Sequence, residues 1–125
     1  MRHKTISSCL AAMAALALIS HAAAAEQAYT VRSIMPKIHR MVGSTVSVTS
    51  PAAVSGTGLV LIPDDSSGLA IDASLKKVPE SELNTLYDRC DVMRKCTVTV
   101  TGMLAEHADS DVRIEATRVV VTKSK

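Results

Sequence analysis

Cys96-Thr97-Val98-Thr99-Val100-Thr101-Gly102-Met103-Leu104 is the stretch on which the fold turns. Val98 and Val100 alternate with Thr97, Thr99 and Thr101, the two-residue period of a strand with one greasy and one polar face. Gly102 marks a bulge toward the end of the run. Immediately upstream the period lengthens. Over residues 78–90, Leu83, Leu86, Tyr87 and Cys90 share one helical face, while Glu80 and Glu82 occupy the electropositive first turn beside Pro79. Tyr87 is therefore expected in the core and Cys90 at the helix end. Downstream, residues 106–111 (EHADSD) read as a polar, acidic loop and residues 113–122 as a last strand. Its inward residues are Ile114 and Ala116, then Val119 and Val121, a step that requires an irregularity near Thr117 and Arg118.

Further toward the N-terminus, Val46 and Val48 alternate with Thr45, Ser47 and Thr49 in a first strand. Residues 51–58 (PAAVSGTG) are rich in breakers and predict a turn or bulge. Residues 59–62 form a second strand, 63–68 (PDDSSG) the turn of a hairpin, and 69–72 a third strand. Ahead of them, residues 33–42 read as a helix capped by Ser33, with Pro36 in its first turn and Gly43 at its end. Ile34, Met35, Ile38 and Met41 fall on one face and Lys37 and Arg40 on another, an amphipathic cover for something apolar.

The first residues have a different logic. Arg2 and Lys4 precede an apolar run at residues 9–19 and the small residues Ala22 to Ala25, the layout of a secretory signal peptide with Ala23 and Ala25 at the cleavage positions. The run is shorter than the roughly 20 residues a bilayer requires. Cys9 opens the apolar run, whereas an acylated cysteine follows it, which disfavours a lipoprotein. The expectation is a signal peptide at residues 1–25, a single exported domain at 26–125, periplasmic or secreted, and no transmembrane segment in the mature chain. Twelve of the fourteen Lys and Arg and all twelve Asp and Glu lie beyond Ala25, so the mature charge balance is zero rather than +2. Two cysteines remain, Cys90 and Cys96, and an oxidising compartment makes a disulfide the default. Five intervening residues differ from the two of a redox C-x-x-C pair, so the bridge reads as structural.

The order helix, strand, strand, strand, helix, strand, strand is that of an OB-fold, a five-stranded barrel with a helix between its third and fourth strands. The chain resembles a loose group of small exported bacterial OB-fold proteins. The resemblance is carried by Ile34, by Met41-Val42-Gly43-Ser44-Thr45-Val46-Ser47-Val48, by Gly56-Thr57-Gly58-Leu59, by Val98-Thr99-Val100-Thr101-Gly102 and by Ile114-Glu115-Ala116. It implies a periplasmic binding or stress-related domain without catalysis and supplies no active-site residue. The Cys90 and Cys96 pair departs from the group.

OB-folds bind single-stranded nucleic acids through basic grooves and aromatic platforms. This chain has no Phe or Trp and only Tyr29 and Tyr87, which together with a neutral mature charge disfavours nucleic acid as a partner. Lys76, Lys77, Arg94 and Lys95 form two small basic clusters that would suit an anion if the helix brings them together. His107, Asp109 and Asp111 offer imidazole and carboxylate groups from one loop beside Glu106, but lack the spacing of a calcium loop. The mature chain has just two histidines, His39 and His107, and no nucleophile or phosphate-loop motif. The leading expectation is a non-catalytic module that takes a small ligand or an envelope protein on the barrel face and the loops at residues 50–57 and 106–111, with no cofactor. The alternative is a hydrolase or metal-dependent enzyme built on the His107 loop.

Overall fold

In the computed structural model, which describes residues 28–56, 58–90 and 95–124, a two-residue strand β1 (Ala28–Tyr29) leads into a short helix α1 (Val31–Ile34). The expected signal peptide lies outside the described residues. Thr30, rather than Ser33, is the N-cap: its side chain accepts from the Ser33 backbone N–H, and the Ser33 hydroxyl accepts from the Thr30 N–H. Two otherwise orphaned donors are satisfied reciprocally, so the helix begins earlier than the position of Ser33 suggested. Pro36 has no N–H with which to continue an α-helical ladder, and the chain tightens into a 3-10 helix at Met35–Met41. Ile34 and Ile38 are buried and Met35 and Met41 pack against them, the face the spacing predicted. Gly43, at φ +93°, ends the segment in a conformation only glycine adopts freely.

Five strands then close on themselves. They are β2 (Thr45–Ser55), β3 (Gly58–Leu61), β4 (Ile71–Ser74), β5 (Cys96–Glu106) and β6 (Val112–Ser124), with helix α2 (Glu80–Arg89) between β4 and β5. The ring order is β2, β3, β4, β6, β5, and β5 returns to pair with β2. All pairings in the ring are antiparallel except β4 with β6, while β1 adds in parallel to β2 at Ser47 and Val48. This is the OB-fold-like barrel that the order of elements predicted. Its interior is aliphatic: Val46, Val48, Leu59, Leu61, Ile71, Val98, Val100, Leu104 and Ile114 are each no more than 2% exposed. Such alternation buries one face of every strand and solvates the other.

The breaker-rich segment at residues 51–58 holds the expected turn, but near its end, at Gly56. β2 runs straight through Pro51 to Ser55, and Gly56 follows in a turn at φ +57°. The Pro51 carbonyl accepts from the Ile62 N–H on the β3 side, so the Pro51 nitrogen faces that side too, just past Leu61, the last residue of β3. No donor is lost from the β2–β5 ladder, which is why proline is tolerated there. The expected irregularity in β6 is present. Thr101 faces Arg118 but Gly102 faces Ala116, leaving Thr117 as the extra residue.

Helix α2 lies against β6 and brings Cys90 to Cys96. The bridge joins the helix C-cap to the first residue of β5 across a Cα–Cα distance of 5.6 Å. Both cysteines belong to the core, at 1% and 4% exposure. Tyr87 does not. At about 100° per residue the buried arc of α2 centres between Leu86 and Cys90, Glu82 occupies the flank turned to β6, and Tyr87 falls on the opposite flank, 45% exposed.

Candidate functional site

The short strands β3 and β4 turn Leu59, Leu61, Ile71 and Ala73 inward, so Gly58, Val60, Asp72 and Ser74 face out. Gly58 stands opposite Ser74 and Val60 opposite Asp72. Strand β6 continues the outer surface in parallel, with Ala73 paired to Ile114 and Ser74 to Glu115, which sets Arg113 beside Asp72. Together with Ser55 and Lys76 these residues line an open recess of about 360 Å³. Gly58 contributes to the opening. A Cβ there would stand 3.3 Å from the Ala73 carbonyl oxygen and 3.7 Å from that of Ser55, on a strand position that otherwise carries an outward side chain.

The lining is polar and carries charges of both signs. Lys76 and Arg113 supply two cations, Asp72 a carboxylate, and Ser55 and Ser74 two hydroxyls. Among the described residues none of the three charged groups is engaged in an ion pair. Charges left without ion-pair partners around a recess can meet opposite charges on an incoming molecule.

Of the residues singled out in the sequence, Lys76 lines this recess, as does Ser55 from the segment at residues 50–57. Lys77 is exposed on the turn before α2. Lys95 lines a separate recess of about 220 Å³ with Lys123, Asp64, Pro51, Cys96 and Thr97, next to the disulfide. Lys76 and Lys95 thus line different recesses, and Arg94 lies outside the described residues. His107, Asp109 and Asp111 are all exposed on the β5–β6 loop, which the His107 N–H closes by donating to the Asp111 carbonyl at 2.6 Å. Asp109 and Ser110 take left-handed backbone there, at φ +66° and +62°. Among the described residues no group of three or more His, Cys, Asp or Glu converges in a way that could hold a metal ion. Residues 50–55, expected to begin a binding loop, are strand, and Thr57 lies outside the described residues.

Arg113 and Asp72 were missed. The signal was faint: each sits at an outward position of a strand whose neighbours in sequence, Ile114 and Val112 for one, Ile71 and Ala73 for the other, are buried. Only the parallel register between β4 and β6 shows that they adjoin. A third recess, of about 300 Å³, runs as a groove between α2 and β6. Glu82 spans it, accepting from the Val119 N–H at 2.8 Å and lying 3.7 Å from the Arg118 guanidinium.

No protein-family model matches the chain, and no curated protein matches it. Solved structures do. An OBody, AM3L09, bound to hen egg-white lysozyme superposes with a TM-score of 0.56 at 18% identity, covering 78% of this chain and 95% of that one. The hypothetical protein ygiW from E. coli gives 0.51 at 14% identity, covering 77% and 90%. Asparaginyl-tRNA synthetase from Pyrococcus horikoshii gives 0.54 at 15% identity over 79% of this chain, which spans 23% of that enzyme. At these identities the likeness is one of fold. No helix among the described residues is long and apolar enough to cross a membrane.

Proposed function

We propose that the chain is a non-catalytic, exported binding module that receives a small ligand or an envelope protein on the outer face of β3 and β4. The observation that carries this reading is the recess between Ser55 and Lys76, where strands hold Arg113, the Asp72 carboxylate and the Ser55 and Ser74 hydroxyls outward and the turn after β4 adds Lys76. In OB-folds generally, the face of the second and third barrel strands is where ligands sit, and here those strands are β3 and β4. The OBody neighbours bound to lysozyme support the reading by fold analogy, because they are barrels of this shape occupied in recognition. The disulfide fits an oxidising compartment and the exported localisation expected from residues 1–25. Nucleic acid is a poorer fit. The recess has no aromatic lining, Tyr29 lies beneath the Lys37 ammonium at 5.2 Å, and Tyr87 projects from α2.

Native mass spectrometry of the protein purified from its own cell envelope tests the proposal. A bound small molecule or protein in defined stoichiometry, lost when Val60→Trp fills the recess, is the expected result. Retention undiminished by Val60→Trp would refute the assigned face.

A further inference from the structure

We infer that the β3–β4 recess is built for a small zwitterion, an amino acid or a dipeptide, whose carboxylate is held by Arg113 and Lys76 and whose ammonium is held by Asp72. The inference rests on the binding-module reading above and deepens it by naming the chemistry of the ligand.

The argument begins from the row of outward residues. Val60 faces Asp72 across β3 and β4, and the parallel register places Arg113 on the far side of Asp72. Lys76 lines the same recess shortly after the end of β4. A simple anion drawn to the two cations would lie against the Asp72 carboxylate, and a simple cation drawn to Asp72 would lie against Arg113 and Lys76. Like charges in contact oppose binding in either case. A molecule with one charge of each sign answers all three groups. Arg113 offers a planar fork suited to a carboxylate, and Lys76 a point charge beside it. Asp72 can accept one or two of the ammonium's three protons, with the Ser55 and Ser74 hydroxyls available as further acceptors or donors. The size agrees. About 360 Å³ lies near the lower end of the range for small-molecule sites, about 300–1,000 Å³. Gly58 keeps the strand backbone open to a ligand's polar ends, where a larger residue would press on the Ala73 carbonyl.

Amide-resolved NMR titration of the whole protein with dialanine, acetate and methylamine reads the inference directly. Dialanine is expected to shift the amides of Gly58, Val60, Asp72 and Ser74 in a saturable way. Acetate and methylamine, each offering half of the ligand, are expected to bind at least about fivefold more weakly, the equivalent of one exposed charge contact. Arg113→Gln removes the advantage of dialanine over methylamine, and Asp72→Asn removes its advantage over acetate. Both positions face outward, so both variants are expected to keep the wild-type amide spectrum elsewhere. Acetate binding as tightly as dialanine, or shifts centred on Lys95 and Lys123, would overturn the zwitterion assignment. The two readings fail separately. If the species carried from the envelope is displaced by Val60→Trp while dialanine produces no saturable shift, the ligand class is wrong and the module stands. If Val60→Trp leaves that species in place, the module reading falls as well.

Discussion

Gly102 shows how one position can set a barrel's shape. A Cβ at this residue would lie 2.2 Å from the Glu115 carbonyl oxygen and 2.7 Å from the Ala116 Cα, both backbone atoms of the neighbouring strand. The sequence signalled an irregularity both here and near Thr117; the extra residue is Thr117 on β6, and Gly102 is the gap that lets β6 press in. Gly102→Ala is expected to cost about 3 kcal/mol, at the upper end for overpacking because backbone must move, as measured by urea denaturation. Asp65 acts at the same scale. It accepts from the Ser67 hydroxyl and backbone N–H, and Arg32 lies 3.5 Å away. Those hydrogen bonds, with a smaller contribution from Arg32, hold its carboxyl below the usual carboxylate range despite a small opposing effect of desolvation. A depressed folded pKa stabilises the protein above the unfolded value, about 3.9, and the benefit disappears as pH falls through the folded value. Asp65→Asn should therefore lower the Tm at about pH 7, and wild type and variant should converge as pH falls below the folded value.

Among the elements, α2 carries a connection that its sequence disguises. Glu82 reads as an acid placed to favour a helix N-terminus, yet its carboxylate reaches across the groove to cap the Val119 N–H on the edge of β6. That edge is paired with β4 only at Ile114 and Glu115, so beyond the Thr117 bulge it depends on the helix for cover. Glu82→Ala is expected to destabilise by about 2 kcal/mol, the scale of a hydrogen bond to a charged acceptor, and to speed amide exchange at Val119 ahead of Val100. Periodicity made the long strands and α2 legible, because Val98, Val100 and Leu86 are buried and Leu83 packs against the core, at the spacing their elements require. It failed where local residues and tertiary pairing disagree. Pro51 lies inside a strand because its missing donor falls where β3 has ended, and no local rule carries that information. Thr30 and Ser33 exchanged roles because both can cap, and Tyr87 left the core because Glu82 fixes which way α2 is rolled. The recess was the least legible feature, since Asp72 and Arg113 meet only through a parallel pairing of two short segments far apart in sequence.

At the scale of the whole molecule, a barrel of aliphatic residues is tied to its helix by one covalent bond. Cys90 and Cys96 are six residues apart, so the loop they close is short and the entropic gain small. Burial of both sulfur-bearing side chains in the core cluster separates them from the β3–β4 face. Replacing both by serine should lower stability by about 2 kcal/mol in thermal or urea unfolding and leave binding at the recess unchanged. Loss of binding without loss of stability would make the bridge functional instead. The barrel closes through only two β4–β6 pairs, Ala73 with Ile114 and Ser74 with Glu115, and those same pairs align Asp72 with Arg113. Closure of the fold and assembly of the recess are one structural event.

Hydrogen–deuterium exchange of the protein with and without the species it carries from the envelope bears most directly on that claim. Slower exchange confined to residues 58–60, 71–76 and 112–115 is the predicted outcome. Protection centred on Lys95 and Lys123, or on the β5–β6 loop around His107, with β3 and β4 unchanged, would contradict it.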